Sequence, residues 1–156
     1  MEQQLNQPHW YRIQEVELVY KTKVDPSHRP ILKESKYAYD LLLQSWNENK
    51  IQLQEQFKVL LLNKALGLLG IFELSTGGIC GTVADPRLIF CAALKAGACC
   101  IILSHNHPSG NLRPSKADEL LTQKLKEAGK WLEIAVLDHL IIGQHGYFSF
   151  ADEGLI

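Results

Sequence analysis

Residues 96–118, which read AGACCIILSHNHPSGNLRPSKAD, carry the pattern that decides the fold. The stretch 96–104 is apolar on both faces, as is typical of a strand in the middle of a sheet. A loop with two prolines and a glycine follows. From Ser115 the apolar residues recur with the period of an amphipathic helix, which Gly129 is predicted to end. The segment therefore predicts a buried strand, a loop and a helix of an α/β domain.

The flanking sequence supplies the rest of a mixed sheet. Upstream, the predicted elements are a strand over 13–20, a helix with Ser35 as its N-cap, a hairpin of strands 55–62 and 68–75, a short strand or irregular edge in 75–83, and a helix that starts at Asp85-Pro86. Downstream, strands are predicted over 132–142 and 147–150 around a turn at 143–146. We divide the chain into an N-terminal strand and loop (1–34) and one α/β domain (35–156).

Composition limits the class of protein. The 156 residues suffice for one domain, and 16 Lys and Arg against 17 Asp and Glu leave a net charge of −1. A protein that holds DNA through its phosphates is expected to carry a basic excess, so the balance argues against direct DNA binding. The four cysteines fit neither a disulfide framework nor a zinc knuckle, and we expect buried, reduced thiols. With no secretory signal or membrane span predicted, we expect a cytoplasmic protein.

The chemistry is expected where the buried strand ends. His105 and His107 are two residues apart, so in an extended segment both rings project to the same side, and Asp118 enters from the first turn of the next helix. Two imidazoles and a carboxylate suit zinc and leave a fourth position open, as in catalytic sites. The alternative is that the histidines are ordinary loop residues and that Ser115 and Asp118 form only a capping box.

His105, His107, Ser115 and Asp118 fill the pattern H-x-H-x7-S-x2-D, which resembles the JAMM signature of the JAB/MPN metalloprotease superfamily. More specifically, the sequence HNHPSG, together with DHLIIG and YFSF downstream, resembles the bacterial RadC family. The resemblance implies a three-layer α-β-α domain with a mixed, curved sheet, similar to that of cytidine deaminases.

The resemblance also implies roles for individual residues. One Zn²⁺ per chain would be held by His105, His107 and Asp118, and Ser115 would help to stabilise the oxyanion. A glutamate upstream would act as general base on the attacking water, and Glu55 matches its position by order and context. The competing glutamates are Glu15, Glu17, Glu34, Glu48 and Glu73.

The function that follows is a zinc-dependent hydrolase of the JAMM type, acting on an amide or isopeptide bond of a peptide or protein. One alternative is a DNA-repair-associated factor of the RadC family, although the helix-hairpin-helix segment of longer RadC proteins is not seen in this sequence. The other is a non-catalytic MPN-type interaction module, against which the retained ligands argue. The exposed first strand could also pair with a second copy of the chain.

Overall fold

The computed structural model of the chain describes residues 19–77 and 83–156. The predicted strand 13–20 lies almost wholly outside these residues, and so does most of the glycine-rich stretch 75–83. The helices and strands in the described part, in chain order, are α1 (Ser35–Ser45), β1 (Gln56–Leu62), β2 (Leu68–Thr76), α2 (Pro86–Ala96), β3 (Cys100–Asn106), α3 (Lys116–Leu132), β4 (Ala135–Gly143) and β5 (Gly146–Ser149).

The five described strands form one sheet in the order β2-β1-β3-β4-β5. β3 runs parallel to β4 and antiparallel to β1, and the other two neighbouring pairs are antiparallel. The parallel pair is connected by α3, which supplies the crossover that parallel strands require. β3 is buried at every position because it lies in the centre of the sheet with helices over both of its faces.

The helices pack on both faces of the sheet. Because successive strand residues point to opposite faces, Leu60 and Ile102 meet α1 on one face. Val59, Ile101 and Leu103 meet α2 and α3 on the other face. The predicted α/β domain with a mixed sheet is therefore confirmed, in the three layers that the resemblance implied.

The predicted strand 96–104 starts too early. Ala96 is the last residue of α2, and Gly97 follows with φ = 66° as the left-handed C-cap of that helix. Glycine adopts this conformation without the steric cost that a Cβ adds. The strand then begins at Cys100 and continues through Asn106, so that His105 belongs to the strand and not to the loop.

The predicted end of α3 at Gly129 is also wrong, since the helix continues to Leu132 and is capped by Glu133 at φ = 54°. Gly129 allows the chain to return closely to the sheet. The Ile134 backbone N–H donates to the Gly129 carbonyl at 2.9 Å. A Cβ on Gly129 would overlap the Ile134 carbonyl oxygen. The strand that was predicted over 132–142 accordingly begins three residues later in the structure, at Ala135.

Replacing Gly129 with alanine is expected to destabilise the protein, although alanine is the better helix former by about 1 kcal/mol. The added methyl group overlaps a backbone oxygen that cannot move without shifting β4. We expect a loss of about 2–4 kcal/mol in the free energy of unfolding, measured by urea denaturation. Gly70→Ala is the control, because no atom lies within 4 Å of its Cβ position. Equal stability of the two variants would refute the close approach.

Two smaller predictions are also corrected. Glu34, not Ser35, occupies the N-cap position of α1, because the Ser35 hydroxyl contacts Tyr147 and Asp152 instead. Cys91 and Cys99 are exposed, while Cys100 is buried as expected. The predicted hairpin, the Asp85 helix start and the turn at 143–146 are confirmed. No helix in the described part of the chain is long and apolar enough to cross a membrane.

Candidate metal centre

The two histidines of the motif leave the central strand together. His105 is the next-to-last residue of β3, pairs with Phe57 across the sheet and is 1% exposed. His107 follows the strand, and its Nδ1 contacts the Asn111 carbonyl oxygen at 2.5 Å. Because the two residues are separated by one strand position, both rings lie on the face covered by α3. The Nε2 atoms of the two rings are 2.9 Å apart.

Asp118 is the third residue of α3, and its side chain approaches the two histidine rings. The helix starts with a capping box, in which the Ser115 hydroxyl accepts from the Asp118 backbone N–H at 3.1 Å. In return, the Ser115 backbone N–H and hydroxyl each donate to Asp118 Oδ2 at 2.7 Å. The other carboxylate oxygen, Oδ1, is 3.3 Å from His105 Nε2. The capping box is therefore present, and it orients the carboxylate towards the histidines.

The geometry of this His-His-Asp group fits a metal ion. Each residue offers one ligand atom, and the three atoms lie within 4.8 Å of one another. Ligand atoms about 2.1 Å from a tetrahedral ion lie about 3.4 Å apart. His105 Nε2 lies 2.9 Å from His107 Nε2 and 3.3 Å from Asp118 Oδ1, both close to that value, and the second carboxylate oxygen, Oδ2, lies 3.7 Å from His107 Nε2. The group could hold a metal, and its nitrogen and oxygen donors suit zinc.

The electrostatics of the group favour a cation. Burial opposes ionisation of Asp118, but its contacts with His105 and His107 and the hydrogen bond from Ser115 hold the pKa of its carboxyl well below the usual range. The Asp118 hydrogen bond raises the pKa of His107 against the effect of burial, and the charge of Glu55 adds to this. The histidines therefore face a carboxylate whose charged form is favoured, and the charge of Glu55 adds to the negative potential at His107.

Glu55 lies at the same edge of the sheet, directly before β1. β1 and β3 pair with Phe57 opposite His105, so the register continued by two residues places Glu55 opposite His107. The Glu55 carbonyl accepts from the Gly77 backbone N–H at 2.7 Å. Its role as general base stays a prediction, but its place at the rim of the His-His-Asp group is what that role requires.

The positions of the competing glutamates are less suited to the role of general base. Glu34 adjoins the start of α1, on the opposite face of the sheet, and Glu48 is exposed beyond the end of that helix. Glu73 lies on β2, 3.7 Å from the buried amine of Lys58, whose own contacts are with the C-terminal end of α1. Glu15 and Glu17 lie outside the described residues.

Asn106, the residue between the two histidines, attaches the segment of Glu55 to β3. Its side chain points to the other face of the sheet and is completely buried. The amide nitrogen donates to the carbonyls of Ile51 (2.7 Å) and Gln54 (2.9 Å). The amide oxygen accepts from the Gln56 backbone N–H at 2.8 Å. The role of Asn106 is not predicted above, although an asparagine between two candidate ligands is a visible signal in the sequence.

His139 on β4 was also missed as part of the site. Its neighbour Asp138 is a locally satisfied carboxylate, because it accepts from the Ser149 hydroxyl at 2.6 Å and from the Ala151 backbone N–H at 2.9 Å. His139 itself points to the opposite face, where its Nε2 lies 2.8 Å from His105 Nδ1. Burial lowers the pKa of His139 well below its usual value, and the nearby His105 adds to this shift. The signal in the sequence was a histidine beside an aspartate in a strand whose other residues are apolar.

A cleft of about 450 Å³ is lined in part by His107. It lies between the loop after β3 and the turn between β4 and β5. Its lining residues include Ile51, Pro108, Leu112, Gln144 and His145. The cleft gives a bound chain room to lie beside the His-His-Asp group.

An α-β-α domain that presents two histidines and an aspartate at the end of its central strand has the layout expected of a JAB/MPN domain. A family model described as "RadC-like JAB domain" matches residues 32–155. The chain therefore belongs to the RadC-like JAB family.

Curated relatives share this part of the sequence. The chain is 50% identical over 101 residues to a UPF0758 protein of Flavobacterium johnsoniae, which is 65% of this chain and 44% of that protein. It is 51% identical over 104 residues to a UPF0758 protein of Porphyromonas gingivalis, covering 66% and 46% of the two chains. A UPF0758 protein of Thermotoga maritima is 42% identical over 101 residues, covering 65% and 46%. The chain spans less than half the length of these relatives.

Proposed function

We propose that the chain is a zinc-dependent hydrolase of the JAMM type that cleaves an amide or isopeptide bond in a peptide or protein. The observation that carries the proposal is the convergence of His105, His107 and Asp118 within 4.8 Å, with Glu55 directly before β1 and close enough for its charge to act on His107. Three protein ligands with room for a fourth are typical of catalytic zinc sites, whereas structural sites are closed by four protein ligands.

The residues of the site divide the chemistry among them. His105, His107 and Asp118 would hold the ion. A zinc ion bound there would lower the pKa of a water molecule and polarise the carbonyl of the substrate. Glu55 would take the proton of the attacking water and return it to the leaving amine nitrogen. Ser115, whose hydroxyl lies 2.7 Å from Asp118 Oδ2, would turn towards the oxyanion as negative charge develops there.

The net charge of −1 supports a peptide or protein substrate over nucleic acid. The intact His-His-Asp group supports an enzyme over a non-catalytic interaction module. A role in DNA repair is in keeping with the RadC name, and it would show as DNA affinity that falls steeply with added salt.

Protein purified without added metal is expected to contain close to one zinc per chain, measured by elemental analysis. His107→Ala is expected to lose this zinc, because two protein ligands hold the ion far more weakly than three. His145→Ala is the matched control, since His145 is exposed on the turn after β4. Wild-type protein that binds no zinc even when zinc is supplied would overturn the proposed function.

Activity is tested with a library of peptides and of lysine-linked isopeptides, read by mass spectrometry. We expect cleavage that a zinc chelator abolishes and that added zinc restores. Cleavage that persists in His107→Ala would show that another site or a contaminant is responsible.

A further inference from the structure

A row of hydrogen bonds extends from α3 to the candidate ligand His105. The Thr122 hydroxyl donates to the Asp118 carbonyl oxygen at 2.7 Å. Thr122 Oγ1 is also 2.6 Å from His139 Nδ1. On the far side of that ring, His139 Nε2 is 2.8 Å from His105 Nδ1. We call Thr122, His139 and His105 the relay.

The direction of the relay follows from its outer end. A carbonyl oxygen only accepts, so the single hydroxyl proton of Thr122 is used on Asp118. Thr122 Oγ1 can then only accept from His139, which places the proton of that ring on Nδ1 and leaves Nε2 as an acceptor. His139 Nε2 in turn accepts from His105 Nδ1, so the proton of a neutral His105 lies on Nδ1. His105 Nε2 is left without a proton and can accept through its lone pair.

That lone pair points into the His-His-Asp group, because His105 Nε2 is the atom that lies 2.9 Å from His107 Nε2 and 3.3 Å from Asp118 Oδ1. The reverse direction would require the Thr122 hydroxyl to stop donating to the Asp118 carbonyl oxygen. It would also place a proton on the very nitrogen that has to bind the ion.

The surrounding side chains hold both rings in place. His139 is 0% exposed and stacks on Phe150, with ring centroids 4.9 Å apart at an interplanar angle of 17°. Phe57 is parallel to His105, with centroids 6.0 Å apart at 1°. Both imidazoles are therefore packed against aromatic rings of the core.

We propose that Thr122 and His139 are positioning residues that fix the tautomer of His105 for metal binding through Nε2. The proposal rests on the metal site of the proposed function and adds to it two residues that orient one of its candidate ligands. Through the Asp118 carbonyl, the relay also connects the helix of one candidate ligand to the strand of another. A histidine that only fills the core would not need both of its nitrogens bonded in this order.

Isosteric replacements of Thr122 test the relay at its outer end. Thr122→Val keeps the volume of the side chain but removes the acceptor for His139 Nδ1–H. The ring is then expected to place its proton on Nε2 and to reverse the bond to His105. We expect zinc affinity about 10–100-fold weaker than in the wild type, measured on the metal-stripped full chain by competition with a chelator. Thr122→Ser keeps the hydroxyl and is expected to bind zinc as the wild type does.

A second pair of variants tests the central residue. In His139→Gln the side-chain amide oxygen can replace Nε2 as an acceptor for His105, whereas His139→Leu offers no acceptor at all. Zinc affinity is expected to be largely retained in the glutamine variant and to fall about 10–100-fold in the leucine variant. Equal zinc affinities within both pairs, with the folded state intact, would overturn the proposal.

The metal-free wild type supplies a readout that needs no variant. Nitrogen-15 NMR of the imidazole groups distinguishes a protonated ring nitrogen from an unprotonated one. We expect protons on Nδ1 of both His105 and His139. A proton on Nε2 of His105 would refute the relay even in protein that binds zinc. The expected tautomers in protein that fails to bind zinc would instead refute the proposed function and leave the relay standing.

Discussion

Replacing Glu55 with glutamine is expected to lower the rate of amide hydrolysis by about 10²–10⁴-fold while zinc remains bound. The glutamine side chain keeps the shape of Glu55 but has no basic oxygen that could take a proton. The three candidate ligands are untouched, so the zinc content is expected to stay at the wild-type level. The loss should appear in kcat, because the proton transfer belongs to the chemical step and not to substrate binding.

Glu48→Gln is the matched control, since Glu48 is an exposed glutamate of the same region and the substitution changes the charge equally. It is expected to leave the rate unchanged. Equal rates for the wild type and Glu55→Gln would show that Glu55 is not the general base. Loss of zinc from Glu55→Gln would instead assign the residue to metal binding.

The sequence predicts those parts of the fold whose signals are local. The strand at 56–62 and the helix that begins at Pro86 depend on hydrophobic pattern, on turn residues and on the Asp85 cap, all within a few residues. The errors occur where a tertiary contact decides. Gly129 is a typical helix terminator by itself, yet the helix continues because the glycine admits the Ile134 carbonyl.

The same distinction between local signals and tertiary contacts applies to the candidate site. The spacing of His105, His107 and Asp118 is enough to predict that they meet, because one strand and one capped helix fix their directions. His139 is 34 residues away from His105 in the sequence, and only the parallel pairing of β3 with β4 makes them neighbours. No local sequence pattern indicates which strands pair when a helix connects them. The relay could therefore be found only in the structure.

β3 therefore serves the site from both of its faces. His105 and His107 point to the candidate ion, whereas Asn106 points to the opposite face and binds the backbone of the segment that carries Glu55. One strand thus connects the candidate ligands to the segment of the candidate base. This arrangement makes the contribution of Asn106 separable from that of the ligands.

Replacing Asn106 with alanine is expected to lower the free energy of unfolding by about 2–4 kcal/mol, measured by urea denaturation. The variant leaves the Gln56 backbone N–H and the carbonyls of Ile51 and Gln54 without the partner that the buried amide gave them. The cost is large because these groups lie where water does not replace the lost bonds.

The same variant is expected to separate metal binding from catalysis. His105, His107 and Asp118 are unchanged, so zinc should stay bound, while hydrolysis should fall because the segment of Glu55 is no longer attached to β3. Asn49→Ala removes an exposed amide from the preceding turn and should change neither stability nor rate. Wild-type hydrolysis in a destabilised Asn106→Ala would show that the amide supports the fold alone. Zinc lost together with activity would show that the attachment also holds the ligands. A fall in kcat with zinc content and KM unchanged would show that Asn106 positions the segment of Glu55 and does not contribute to metal binding.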